Sequence, residues 1–99
     1  RYMSAQKKNL VQQATGIPSG RLLDVGCGTG AFLHTMQQGG WQVQGIEPDA
    51  GARRQAEQVL QIKIFEPDAL ESWPPQSFDA ITLWHVLEHA HALHDYMNN

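Results

Sequence analysis

The chain has 99 residues, 41% of them apolar, which suits one small domain around one modest core. Its formal net charge of −3 provides no basic field of the kind that holds nucleic acid. A single cysteine excludes an intrachain disulfide, no apolar run is long enough to span a membrane, and no signal peptide is visible. A cytoplasmic protein with no membrane partner and no strong signal for a nucleic-acid one is therefore expected.

Residues 3 to 15 place Met3, Ala5, Leu10, Val11 and Ala14 among lysines and glutamines. That spacing predicts an amphipathic helix, ended by Gly16 and Pro18. Pro18-Ser19-Gly20 is a turn signal, and Arg21 to Val25 follows as a buried strand. The strand runs straight into Gly26-Cys27-Gly28-Thr29-Gly30, where alternating glycines strip side chains from one face of the turn. A ligand can then lie against bare main chain. Ala31 to Gln38 reads as a helix stopped by Gly39-Gly40, with Phe32, Leu33 and Met36 facing the sheet and His34 solvated. Its free N–H groups would point toward whatever fills the turn.

Asp24-x-Gly26-x-Gly28-x-Gly30 after a hydrophobic strand resembles motif I of the class I, Rossmann-like S-adenosylmethionine (SAM) dependent methyltransferases. Gly26, Gly28 and Ala31 also satisfy the dinucleotide fingerprint, so the glycines alone do not decide between the two. Asp24 favours SAM. A carboxylate beside the turn repels a pyrophosphate but pairs with the ammonium of a methionine moiety and favours a nearby sulfonium. Cys27 lies inside the turn and reads as a small buried filler rather than a nucleophile, since no base is evident beside it.

Trp41 to Glu47 is expected as the second strand, leading into Pro48 and Asp49. An acid ending that strand, about twenty residues past the glycine turn, occupies the ribose-binding place in this architecture. Its carboxylate accepts from two vicinal hydroxyls and disfavours a 2′-phosphate. Gly45-Ile46-Glu47-Pro48-Asp49 resembles the methyltransferase post-I motif. Asp49 serves as N-cap for a helix over Ala50 to Leu60, with Ala52, Ala56, Val59 and Leu60 inward and Arg53, Arg54, Glu57 and Gln58 outward as surface polar groups. Ile62 to Glu66 reads as a short third strand. Asp68 either caps a short helix over Ala69 to Trp73 or, as the resemblance implies, accepts from the adenine amino group while the Ala69 N–H reaches a ring nitrogen. Trp73-Pro74-Pro75 is expected as a rigid loop with an exposed aromatic.

Ser77 to His85 reads as a fourth strand and, with Leu87-Glu88-His89, resembles the family's fourth-strand motif. Trp84 would line the cofactor or acceptor, and His85 or His89 is a candidate general base. His85-x-x-Glu88-His89 also matches an inverted zinc-protease pattern. The apolar run before His85 argues for a strand end there, so the two histidines would not share a helical face, and no metal site is expected.

The four motifs, in order over residues 20 to 90, imply an α/β, doubly wound, mostly parallel sheet of local order 3-2-1-4. The whole of 1–99 is expected to be one partial domain, with an N-terminal helix in 1–18 and a core in 20–99. The family helix before the first strand often covers the cofactor. The missing initial methionine and the stop after Asn99 suggest a piece whose C-terminal strands are absent, leaving a sheet edge through which two copies could pair. The implied chemistry is methyl transfer from SAM, with S-adenosylhomocysteine as product, to a small-molecule acceptor. A nicotinamide-type oxidoreductase domain and a non-catalytic SAM-binding protein are the alternatives.

Overall fold

The computed structural model describes residues 4–84. Helix α1 (Ser4–Thr15) precedes strand β1 (Arg21–Val25), helix α2 (Ala31–Gln38), strand β2 (Gln42–Ile46) and helix α3 (Ala50–Leu60). A short 3₁₀ helix (Pro67–Ser72) and strand β3 (Ala80–Thr82) follow. The strands form a parallel sheet in the order β2-β1-β3. Parallel neighbours require crossovers, and α2 supplies the first. After β2 the chain returns across β1 to its other side. The strand order therefore reverses at β1, and the crevice beyond the carboxyl ends of β1 and β3 is where open sheets of this kind take ligands. This is the Rossmann-like fold expected from the sequence.

As the central strand, β1 is buried on both faces. Leu22 belongs to a core with Val11, Phe32, Leu33, Met36, Ala56 and Leu60, contributed by all three helices. Leu23 and Val25 face the other way, joining Ile46 against Phe65, Leu70, Trp73, Phe78 and Leu83. The alternation is the two-residue period of a strand. Within α3, Ala56 and Leu60 are buried as expected, but Val59 is 48% exposed. The inward stripe is narrower than its hydrophobicity implied, and Val59 lies outside it.

The expected third strand is corrected. Residues 62–66 make only a single parallel bridge, Ile46 to Phe65. On either side of that bridge, Lys63 O accepts from Gln44 Nε2 at 2.8 Å, Glu66 O accepts from the Ala69 N–H at 3.0 Å, and Pro67 has no N–H, while the Ile64 N–H, on the side away from β2, donates to Glu57 Oε2 at 2.9 Å. No ladder can propagate through groups already paired. The fourth strand is shorter than the expected 77–85: it ends at Thr82, and Trp84 is already helical rather than part of the strand end. At its start Asp79 is bonded twice to the first residue of β1, its N–H donating to Arg21 O and its Oδ2 accepting from the Arg21 N–H, both at 2.8 Å. Trp73 is not the exposed aromatic expected. It is half-buried, packing edge-to-face between Phe65 and Phe78, each with ring centres 5.5 Å away.

Gly45 in β2 permits close approach of the turn after β1, of α2 and of the segment after α3. A Cβ there would lie 2.8 Å from Cys27 Sγ, 2.9 Å from Leu33 Cδ1 and 3.0 Å from Ile64 Cδ1. Gly45→Ala is expected to destabilise the fold by about 1–3 kcal/mol through overpacking, read as a lower urea midpoint with an unchanged denaturant slope.

Candidate functional site

The turn after β1 is assembled from main-chain bonds. The N–H groups of Gly26 and Cys27 both donate to Ile46 O, at 2.8 and 3.0 Å, so the end of β2 closes the turn. Gly30, at the start of α2, has φ +93°, and a Cβ there would meet Ala56 Cβ at 3.1 Å. Glycine is required at that position by both backbone conformation and helix contact. Gly28, at φ +61°, has open space where a side chain would stand. The bare face expected from the sequence is therefore open at its middle glycine.

Two buried acids flank this turn. Asp24, 4% exposed, is the last residue but one of β1 and lies opposite Thr82 of β3, whose Oγ1 donates to Asp24 Oδ1 at 2.7 Å. Burial pushes the Asp24 carboxyl from 3.8 up to about 7; the Thr82 hydrogen bond and Lys7 pull it down, and Glu47 adds a smaller upward push. Glu47, 7% exposed, stands one residue beyond β2. Its Oε1 accepts from the Gly28 N–H at 2.8 Å and its Oε2 from the Asp49 N–H at 3.0 Å. Asp49 then caps α3, accepting from the Ala52 N–H at 2.8 Å.

A cavity of about 210 Å³ opens beside the turn. Asp24, Gly26, Cys27, Gly28, Thr29 and Ala31 line it from the β1 side, Ser4 and Lys7 from α1, and Phe32 and Trp84 close it. Phe32 and Trp84 pack edge-to-face with ring centres 5.8 Å apart, and Lys7 Nζ lies 5.6 Å from the centre of the Trp84 ring. The cavity thus combines a cation, a buried acid and an aromatic wall. Cys27 is buried, and its thiol is pushed up to about 12 by burial, then by Asp24 and Glu47. It is a protonated filler at neutral pH, as its place in the sequence implies.

The adenine-side residues are placed differently from expectation. Asp68 is exposed and caps nothing, because Glu66 holds the N-cap position of the 3₁₀ helix, which begins at Pro67. The Ala69 N–H already donates to Glu66 O at 3.0 Å. Pro48 is exposed beside Glu47. His85 and His89, the candidate bases, and Glu88 of the zinc pattern lie outside the described residues. Among the described residues no group of His, Cys, Asp and Glu is arranged to hold a metal ion. None of their helices is long and apolar enough to cross a membrane.

Sequence reasoning missed Lys7, Thr82 and Arg53 as site residues. Lys7 shares a helix face with Val11, four residues on, which is buried in the core. That spacing was the available signal. Thr82 carried none, since its partner is 58 residues away. Arg53 turns back to donate through Nη1 to Glu47 O at 2.8 Å and Pro48 O at 2.9 Å, so it is not the outward surface charge expected.

A family model described as a methyltransferase domain matches residues 1–99. A ubiquinone biosynthesis O-methyltransferase of Ralstonia nicotianae is 30% identical over 86 residues, 80% of this chain and 36% of that protein. One of Albidiferax ferrireducens is 36% identical over 77 residues, 70% of this chain and 31% of that protein. Among solved structures, SAM-bound CalS10, an amino pentose methyltransferase from Micromonospora echinaspora involved in calicheamicin biosynthesis, is similar with a TM-score of 0.65. It is 30% identical, over 81% of this chain and 34% of its own. The chain spans about a third of the length of the curated relatives it matches.

Asp24 binds its proton more tightly folded than unfolded. Its contribution to stability is fully present below about 4 and is lost as pH rises through about 7. Asp24→Asn removes this dependence, so the stability of the variant relative to wild type should climb with pH across that window in urea unfolding. A difference that stays constant with pH would contradict the buried carboxyl.

Proposed function

The chain belongs to the methyltransferase-domain family, and from that membership we propose that it is the cofactor-binding part of a SAM-dependent methyltransferase with a small-molecule acceptor. The observation that carries this reading is the pair of buried acids, Asp24 and Glu47, on either side of an open main-chain turn. A diphosphate laid on that turn would face both acids at short range in a poorly solvated site. A ligand with a cationic head and a neutral sugar diol meets them favourably.

The site residues divide the cofactor between them. Asp24 receives the α-ammonium, and Lys7, across the cavity, faces the carboxylate of the same amino-acid end. Gly26, Cys27, Gly28 and Gly30 give the main chain close approach. Glu47 accepts from the ribose hydroxyls, and its two existing N–H bonds fix the carboxylate before the ligand arrives, so little ordering remains to oppose binding. Pro48 shapes the exit from β2. Asp68 offers its carboxylate to the adenine amine, and the Ala69 N–H reaches a ring nitrogen by sharing its bond to Glu66. Phe32 and Trp84 shield the amino-acid end from water.

When bound, SAM supplies an electrophilic methyl group on sulfur. The chain's part is to orient that group, exclude water and hold an acid near the cation. His85 or His89 takes the acceptor's proton; this assignment rests on the sequence motif alone. The absence of a basic field and the biosynthetic roles named for the relatives support a small-molecule acceptor and a cytoplasmic setting.

Calorimetric titration with S-adenosylhomocysteine tests the site. Asp24→Asn and Glu47→Gln should each weaken binding by about 1.5–3 kcal/mol, the usual cost of a lost charged hydrogen bond. Wild-type affinity should fall as pH drops below about 7, because a protonated Asp24 must release its proton to receive the ammonium. NAD should raise the melting temperature less than S-adenosylhomocysteine does. The reverse order, or undiminished affinity in both variants, overturns the reading.

A further inference from the structure

Arg53 is the fourth residue of α3, and its backbone N–H makes an ordinary helical bond to Asp49 O at 2.9 Å. Its side chain does something a surface arginine does not. It folds back along the helix start, 19% exposed, and its Nη1 meets both Glu47 O and Pro48 O. Nη2 lies 3.9 Å from Glu66 Oε1. A single planar guanidinium thus links the bend after β2 to the segment that leads into Asp68 and Ala69. Lysine, with one compact charged head, cannot match this fork.

Helix stability does not account for the arrangement. The helix start is already capped by Asp49. A cation near a helix N-terminus also gains nothing from the dipole, which favours negative charge there. The Glu66 arm is weak, because Glu66 is 67% exposed and the pair is screened by solvent. The two carbonyl bonds carry the interaction. Both carbonyls lie beyond the last residue of β2, in a bend whose N–H groups are held elsewhere: the Glu47 N–H donates to Phe65 O at 2.9 Å and the Asp49 N–H to Glu47 Oε2 at 3.0 Å. Arg53 holds the acceptor side of the same bend, and so helps to set the direction from which the Glu47 side chain reaches Gly28.

We propose that Arg53 is a positioning residue for the adenosine half of the cofactor, clamping the bend that carries Glu47 and tethering to it the loop that carries Asp68. The proposal rests on the cofactor reading above. It confines the role of Arg53 to the sugar and base, since the side-chain partners of Arg53 are Glu47 O, Pro48 O and Glu66, all on the two segments that carry Glu47 and Asp68.

The test compares two ligands, S-adenosylhomocysteine and 5′-methylthioadenosine, which lacks the amino acid, titrated calorimetrically into the full-length protein. Arg53→Met should weaken both by the same factor, about tenfold, the scale of one charged hydrogen bond. Arg53→Lys should fall between Arg53→Met and wild type. Asp24→Asn, by contrast, should weaken S-adenosylhomocysteine far more than 5′-methylthioadenosine. If Arg53→Met lowers the melting temperature while the folded protein binds both ligands as tightly as wild type, the residue is only structural and the inference fails. It fails equally if the loss is confined to S-adenosylhomocysteine. Should Arg53→Met not fold, the Arg53→Lys comparison decides by the same two criteria. Wild-type protein that binds neither ligand overturns the cofactor reading itself and the inference with it.

Discussion

The Glu47 carboxylate is the interaction on which the site depends. One oxygen holds the Gly28 N–H in the turn after β1, and the other holds the Asp49 N–H at the start of α3. A single side chain therefore ties together the ends of the two longer strands and the helix that follows. A glycine turn is entropically expensive to hold in one conformation, and short side-chain bonds of this kind offset that cost. The oxygens that organise the turn are also those that a sugar diol would meet. On the proposed reading, structure and binding would be served by the same atoms, and neither could be altered alone.

Asp24 presents the complementary problem. A carboxyl buried among Leu22, Leu23, Val25 and the turn is costly when charged, and its upward shift to about 7 expresses that cost. Thr82 and Lys7 reduce the penalty from opposite sides, one by a hydrogen bond across the sheet and the other by charge across the cavity. The residual cost leaves an acid near its titration point at neutral pH. Such a group responds strongly to an arriving cation, and perturbed acids of this kind concentrate where ligands bind. Cys27, between the two acids, stays protonated for the same reason that Asp24 is perturbed.

The sheet order sets the geometry in which both acids operate. Because the chain places β2 and β3 on opposite sides of β1, the ends of β1 and β3 meet at a crevice, and Asp24 comes to lie beside Thr82. Helix α1 packs against α2 and delivers Lys7 over Trp84, so the cavity has a wall that the strands alone could not supply. On the opposite face, Trp73 packs between Phe65 and Phe78, holding the connection from the 3₁₀ helix against β1 and β2.

The sequence by itself determined whatever depends on neighbours along the chain. The bounds of β1, α2 and α3, the bend after Val25, the Asp49 cap and the places of Asp24 and Glu47 follow from periodicity, turn chemistry and capping, all of which act over a few residues. Only the tertiary structure decided what depends on elements brought together from a distance. Thr82 reaches Asp24 across the sheet, Lys7 reaches the cavity through helix packing, and Arg53 turns inward because unpaired carbonyls lie within its reach. Residues 62–66 have the composition of a strand, but Gln44 takes the Lys63 carbonyl and Pro67 has no N–H, so the pairing with β2 stops at the one bridge through Phe65. A hydrogen-bonding group can be read from the chain, whereas its partner is chosen in space.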